Sequence, residues 1–297
     1  MKNEIESTQV NQALHPLLLG MQCCVQPFYS FKDVQIFNEN CLDTMRRMPD
    51  NHIDLTVTSP PYDNLRDYKG YTFPFEDIAK ELFRVTKQRG VLVWVVGDAT
   101  VNGSESGTSF KQALFFMQLG FSLHDTMIYE KNGPSYPAQD KYYQIFEYMF
   151  VFAKGKPKTY NPLKDRKNKW YGQKWGKTRT RRKKDGSLTV QEWYKEEGEE
   201  YGTRFNIWRY NVGAGYQHED EIAYKHPATF PERLANDHIY SWSNEGDLIY
   251  DPFGGSGTTA KMAHLQNRKA IMSEISQEYC EIAKKRIDPY LRQERLF

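Results

Sequence analysis

Leu248-Ile-Tyr-Asp251-Pro-Phe-Gly-Gly-Ser-Gly257-Thr-Thr-Ala-Lys-Met-Ala-His-Leu265 is the stretch whose reading decides the fold. Asp247–Tyr250 reads as an apolar strand, Asp251 and a glycine-rich turn follow, and Thr258–Leu265 has the spacing of a helix. Strand, tight glycine turn and helix in that order let a backbone approach a ligand closely and present free helix N–H groups to it. The loop lacks the G-x-G-x-x-G of dinucleotide binders, and no Gly-Lys-Ser/Thr makes it a phosphate-binding P-loop. Lys269–Ser273 reads as the next strand, and Glu274 at its end is placed to accept hydrogen bonds from ribose hydroxyls. Taken alone, the loop is as readily a structural turn.

Outward from this stretch, strands alternate with helices. Val34–Phe37, Ile53–Thr58, Val91–Val96, Phe121–Glu130 and Tyr143–Phe152 read as strands. Helical spacing falls over Cys41–Met48, Phe75–Val85, Phe110–Leu119, Pro231–Tyr240 and Gln277–Ile287. The alternation predicts an α/β fold with a doubly wound, mixed but mostly parallel sheet. Ile53–Thr58 ends at Ser59-Pro60-Pro61-Tyr62, where two prolines stop any central ladder. That puts a hydroxyl, two rigid prolines and an aromatic at the carboxyl end of a buried strand, where open α/β sheets bind ligands.

Composition narrows the classes. The net charge of +2 excludes a wholesale polycation, but charge is unevenly spread along the 297 residues. Fourteen lysines and arginines lie between Lys154 and Lys184, against Asp165 and, just past the edge, Asp185. Such a block suits a phosphate backbone, although charge runs are more often solvated loops. Trp170, Trp175, Trp193 and Trp208 fall in or near it and read as module core before base wedges. The four cysteines, Cys23, Cys24, Cys41 and Cys280, form no CxxC pair and no zinc spacing, so no metal site is expected. Free thiols and the lack of a long apolar run predict a cytoplasmic protein.

Two motifs together resemble the amino-directed (N4-cytosine/N6-adenine) DNA methyltransferases. That family carries a [DNST]-P-P-[YFW] tetrapeptide, matched by Ser59-Pro60-Pro61-Tyr62 within Thr58–Tyr62 (TSPPY), and an F-x-G-x-G loop, matched by Phe253-Gly254-Gly255-Ser256-Gly257. His226-Pro227-Ala228-Thr229-Phe230-Pro231 and Glu147-Tyr148-Met149-Phe150-Val151-Phe152 are similar to two further family elements. The tetrapeptide precedes the loop, with a variable region between, which is the order of the β group. The resemblance implies an N-terminal arm over 1–30, a catalytic portion over 31–153, a target-recognition region over 154–222 and a cofactor-binding portion over 223–297. S-adenosyl-L-methionine is the implied cofactor. Phe253, Gly255 and Gly257 would line it, Asp251 would support the loop, and Glu274 would hold the ribose. Asn40 stands where the family has the aspartate of G-D-C that contacts the adenine.

The Ser59 hydroxyl and Pro60 carbonyl would face the target amine, Pro61 would stiffen the turn, and Tyr62 would stack on a flipped base. Serine at the first place resembles the cytosine-N4 enzymes, with adenine N6 as the alternative. Double-stranded DNA is the implied partner. The pattern leaves room for a cognate restriction endonuclease and for either a monomer or a dimer. His226 either shapes the site or is structural. Two other classes stay open: an RNA amino-methyltransferase and an inactive DNA-binding protein.

Overall fold

The computed structural model describes residues 26–61, 73–133, 141–169, 171–172, 175–195, 199–213 and 215–292. Most of the expected arm, Cys23, Cys24, Tyr62 and Trp170 lie outside them.

Apolar runs with no polar face become central strands because both of their faces are covered. In chain order the strands of the main sheet are β1 (Tyr29–Phe31), β2 (Val34–Phe37), β3 (Ile53–Thr58), β4 (Thr86–Val96), β5 (Ser122–Lys131), β6 (Phe146–Ala153), β7 (Ile207–Tyr210), β8 (Leu248–Asp251) and β9 (Lys269–Ser273). They lie in the order β1-β2-β9-β8-β3-β4-β6-β5-β7. The run from β2 to β4 is parallel throughout, and β6 enters antiparallel between β4 and β5. Helices α1 (Cys41–Arg47), α2 (Phe75–Val85) and α3 (Thr108–Gln118) pack in succession on one another, as do α4 (Glu232–Trp242), α5 (Thr258–Leu265) and α6 (Gln277–Arg292). This is the doubly wound, mostly parallel mixed α/β sheet that the alternation predicts.

One core cluster joins Met45, Ile78, Leu82, Trp94, Phe116, Phe152 and Tyr250. The Trp94 indole N–H donates to Gln112 Oε1 at 2.8 Å, so the largest buried ring leaves no donor unpaired. No helix among the described residues is long and apolar enough to cross a membrane.

Several elements shift by one to three residues from the sequence reading, the expected strand Tyr143–Phe152 starting only at Phe146, and three differences are larger or change the assignment. β4 starts at Thr86 rather than Val91, because Arg89 N–H donates to Lys154 O and the ladder runs through Gly90 with a register shift against β3. α6 continues to Arg292 with Pro289 inside it. Ile207–Tyr210, which falls within the expected 154–222 insertion, pairs in parallel with β5 and belongs to the main sheet. The described chain divides into a larger unit, up to Tyr160 and from Ile207 onward, and a smaller unit, Asn161–Asn206.

In the smaller unit Trp175–Arg182 and Leu188–Lys195 form an antiparallel hairpin, and Arg166–Lys167 pair with Tyr201–Gly202.

Candidate active site

The site is built at the carboxyl ends of β2, β9, β8 and β3, which finish side by side at one edge of the sheet. Ile249 pairs with Leu55 and Tyr250 with Thr56, so Asp251 and Thr58 emerge together. The Thr58 hydroxyl donates to Asp251 Oδ1 at 2.7 Å. Thr58 immediately precedes Ser59-Pro60-Pro61, and Asp251 opens the glycine turn. One buried hydrogen bond therefore joins the two distant motifs. Asp251 Oδ1 also accepts the Phe253 N–H at 3.0 Å, and the Thr259 hydroxyl, which reaches Val57 O at 3.1 Å, helps to hold the carboxylate. Burial raises the Asp251 carboxyl to about 6, against the pull of these donors. Ser59 and Pro61 are half-buried and Pro60 is buried.

The loop is shaped by close approaches. Gly254 N–H donates to Ser273 O at 2.9 Å, and a Cβ on Gly254 would collide with the Met272 side chain. Gly255 has φ +49°, and a Cβ there would lie 3.0 Å from His226 Nε2. His226 thus faces the loop, edge-on to Tyr279 at 4.3 Å between centroids, with its Nδ1 accepting Ala228 N–H at 3.2 Å. Gly257, at φ +79°, caps α5. Phe253 reaches inward, edge-to-face with Phe73 and Trp94.

Glu274 closes the other side. Its Oε2 accepts Gly255 N–H at 2.9 Å and its Oε1 accepts Ser276 N–H at 2.8 Å. Burial raises this carboxyl too, with the backbone donors working against the shift. A carboxylate has about four acceptor sites, so the backbone donors, the Ile275 N–H among them, leave it capacity for a further hydroxyl. β2 is tied to this corner: Glu274 N–H donates to Phe37 O at 2.9 Å, and Asn38 Nδ2 donates to Glu274 O and Ile275 O at 3.0 Å. Asn40 follows as the N-cap of α1, its side-chain oxygen accepting Leu42 N–H at 2.9 Å. Asn40, Asp251, Phe253, Gly255, Gly257, Glu274, Ser59, Pro60 and Pro61 therefore share one sheet edge. Cys41 and Cys280 are buried free thiols, and burial pushes Cys280 up to about 12.

Sequence reasoning misses what lies behind the loop. Arg286 of α6, fully buried, donates from Nη1 to Ser256 O at 3.1 Å, Ser256 Oγ at 3.1 Å and Thr258 Oγ1 at 2.9 Å. Its other nitrogens reach Asp220 Oδ2 at 3.0 Å, Glu232 Oε1 and His218 Nδ1. Lys261 of α5, also buried, bridges Asp220 Oδ2 at 2.6 Å and Glu232 Oε1 at 2.9 Å. Burial alone would pull Lys261 down, but its two carboxylate partners outweigh that and hold it above its ordinary range. Glu232 is likewise held well below the usual carboxylate range, its donors and the two cations overcoming burial. Burial lowers His218, with Glu232 pulling the other way.

The family model of the N6/N4 DNA methylases matches residues 53–285, well over half of the chain. The chain belongs to that family. It is 62% identical over 239 residues to the orphan methyltransferase M.BamHII of Bacillus amyloliquefaciens, covering 80% of this chain and 90% of that protein. It is 28% identical over 261 residues to the type II methyltransferase M.BglII of Bacillus subtilis, covering 84% of this chain and 67% of the relative. The fold is similar to that of the PvuII DNA methyltransferase, described as cytosine-N4-specific, with a TM-score of 0.63 at 19% identity over 91% of this chain and 90% of that one. A putative DNA modification methylase from Thermus thermophilus, complexed with S-adenosyl-L-methionine, superposes with a TM-score of 0.58 at 22% identity, over 87% of this chain and 95% of that one. The DNA methylase described here is thus an amino-directed methyltransferase.

Proposed function

We propose that this DNA methylase transfers a methyl group to the exocyclic N4 of a cytosine flipped out of duplex DNA at a specific site. The observation that carries the reading is the Thr58 Oγ1–Asp251 Oδ1 bond, because it fixes Ser59–Pro61 and the glycine loop in one frame.

The cradle fits S-adenosyl-L-methionine. Gly255 adds no Cβ between the loop and His226, Gly257 lets the loop close against Ala283 and Ile287 of α6, Glu274 keeps acceptor capacity for a ribose hydroxyl, and the start of α5 offers free N–H groups to a carboxylate. Asp251 supports the loop through Phe253 N–H, Phe253 walls the site, and Asn40 sits at the adenine end. When bound, the cofactor supplies a methyl group on an electrophilic sulfonium.

Everything else is asked of the chain. The amine of cytosine is a poor nucleophile because its lone pair is delocalised into the ring. Ser59 Oγ and Pro60 O accept its two hydrogens, which favours a pyramidal nitrogen and frees the lone pair. Both acceptors stabilise the positive charge that develops there. The proline rings fix φ, so these acceptors need little reorganisation. Holding amine and methyl at near-attack distance lowers the barrier by up to about 7–11 kcal/mol. Tyr62 stacks on the extruded base and returns roughly 1–3 kcal/mol of the few that flipping costs.

The choice of N4 over N6 rests on serine at the head of the tetrapeptide. The smaller unit, within the 154–222 region, reads the target. Since the Bacillus amyloliquefaciens relative is described as an orphan, the chain is read as acting without a dedicated endonuclease. Digestion of enzyme-treated DNA to nucleosides tests the base: N4-methylcytosine is expected, and N6-methyladenine alone would overturn the assignment.

A further inference from the structure

The basic block cannot be parsed lysine by lysine from sequence, but the smaller unit sorts it. Some of its cations are used internally. Lys164 pairs with Glu199 at 2.9 Å, Arg204 forks onto Asp165, and Arg166 lies over the Phe205 ring at 4.7 Å while donating to Thr203 O. Arg181, Arg182, Lys183 and Lys184 are different. They are consecutive, exposed and, among the described residues, without an ion pair. The one acid beside them, Asp185, is taken up by the Ser187 N–H at 2.9 Å and hydroxyl at 2.7 Å, which hold its carboxyl below the usual range.

These four residues sit at the end of a two-stranded ribbon of eight residue pairs, from Trp175↔Lys195 to Arg182↔Leu188. The turn is closed by Lys183 N–H to Ser187 O at 2.8 Å, with Gly186 at φ +84°. Leu188 and Val190, 60% and 64% exposed, lie across from Arg182 and Thr180. The ribbon is about 24 Å long at 3.4 Å per residue, and a pair of strands has a width that the roughly 12 Å major groove admits. Four adjacent unpaired cations repel one another unless a polyanion neutralises them.

We propose that the hairpin Trp175–Lys195 is the element that docks on duplex DNA, its tip cations Arg181–Lys184 on backbone phosphates and its strands along the major groove. The inference rests on the duplex-DNA substrate proposed above.

Full-length protein carrying Arg181→Gln, Arg182→Gln, Lys183→Gln and Lys184→Gln together is compared with wild type for duplex binding over a salt series. Binding of S-adenosyl-L-homocysteine serves as the control for folding. Each phosphate contact contributes about 0.9 to the slope of log affinity against log salt, so the variant loses about 3.6. Wild-type affinity then falls roughly 10²-fold more steeply than the variant's between 50 and 200 mM salt. An unchanged slope with intact cofactor binding overturns the docking role alone. A loss confined to RNA duplexes also overturns it. Wild-type protein that binds no duplex DNA at any salt would instead refute the proposed function itself.

Discussion

Replacing Arg286 by methionine removes a cation that the fold encloses completely. Arg286 neutralises Glu232 and Asp220 jointly with Lys261, and it is a donor to the Ser256 carbonyl. In Arg286→Met one buried lysine faces two carboxylates, and the Ser256 carbonyl loses a partner. Stranding a buried charge costs about 3–5 kcal/mol, and the lost charge-assisted bond to Ser256 is a smaller addition of about 1.5 kcal/mol or more. For a chain of this size that is a fall in melting temperature of roughly 10 °C. Pairing the change with Glu232→Gln leaves Lys261 facing Asp220 alone and restores charge balance. The double variant is therefore more stable than the sum of the single losses, by about 2 kcal/mol. Calorimetry on wild type, both single variants and the double variant measures this coupling. Titration with S-adenosyl-L-homocysteine below every melting temperature measures the loop, and Arg286→Met binds it more weakly because Ser256–Thr258 is no longer held from behind. A single variant melting within about 1 °C of wild type, or strict additivity in the cycle, would refute a loop-bracing ion cluster.

Other predictions concern the visible side of the site. The Asp251 carboxyl is raised in the folded state from 3.8 to about 6, so between those values the folded chain holds a proton that the unfolded chain releases. Stability from this group is accordingly present at low pH and lost as pH rises from about 4 to 6, by about 3 kcal/mol at 1.36 kcal/mol per unit. Asp251→Asn flattens that part of the profile relative to wild type, and urea melts at pH 4–7 would contradict this if the two profiles were parallel. Gly255→Asp abolishes cofactor binding, since the position has φ +49°, faces His226, and would set a second carboxylate beside Glu274. Unaltered affinity in a titration would mean that the loop does not bind the cofactor. Tyr62→Ala loses most turnover yet keeps cofactor affinity, and steady-state rates near wild type would remove the stacking role.

The parts of the fold legible in the sequence are those where burial leaves no ambiguity. Ile53–Thr58, Thr258–Leu265 and Lys269–Ser273 are observed where the sequence reading puts them. Each is an apolar run or helical stripe with a hard stop. The edge strand Ile207–Tyr210 is not legible, because only Trp208 and Tyr210 are buried in it and charged text surrounds it. The placement of the candidate site residues at one sheet edge is readable because two short motifs sit at strand ends. The cluster behind them is not. Asp220, Glu232, Lys261 and Arg286 come from a loop and three helices, each looks like an ordinary surface charge, and only the packing of α4, α5 and α6 brings them together. Sequence leaves His226 open between two roles, and its ring against Gly255 favours the one that shapes the site.

Cocrystallisation with S-adenosyl-L-homocysteine tests most directly whether the serine-proline turn and the glycine loop serve one reaction. The ribose should lie on Glu274, with the sulfur directed at Ser59 and Pro60 across a gap that admits one amino group. A sulfur turned away from that turn, or a ligand seated at another sheet edge, would contradict the account.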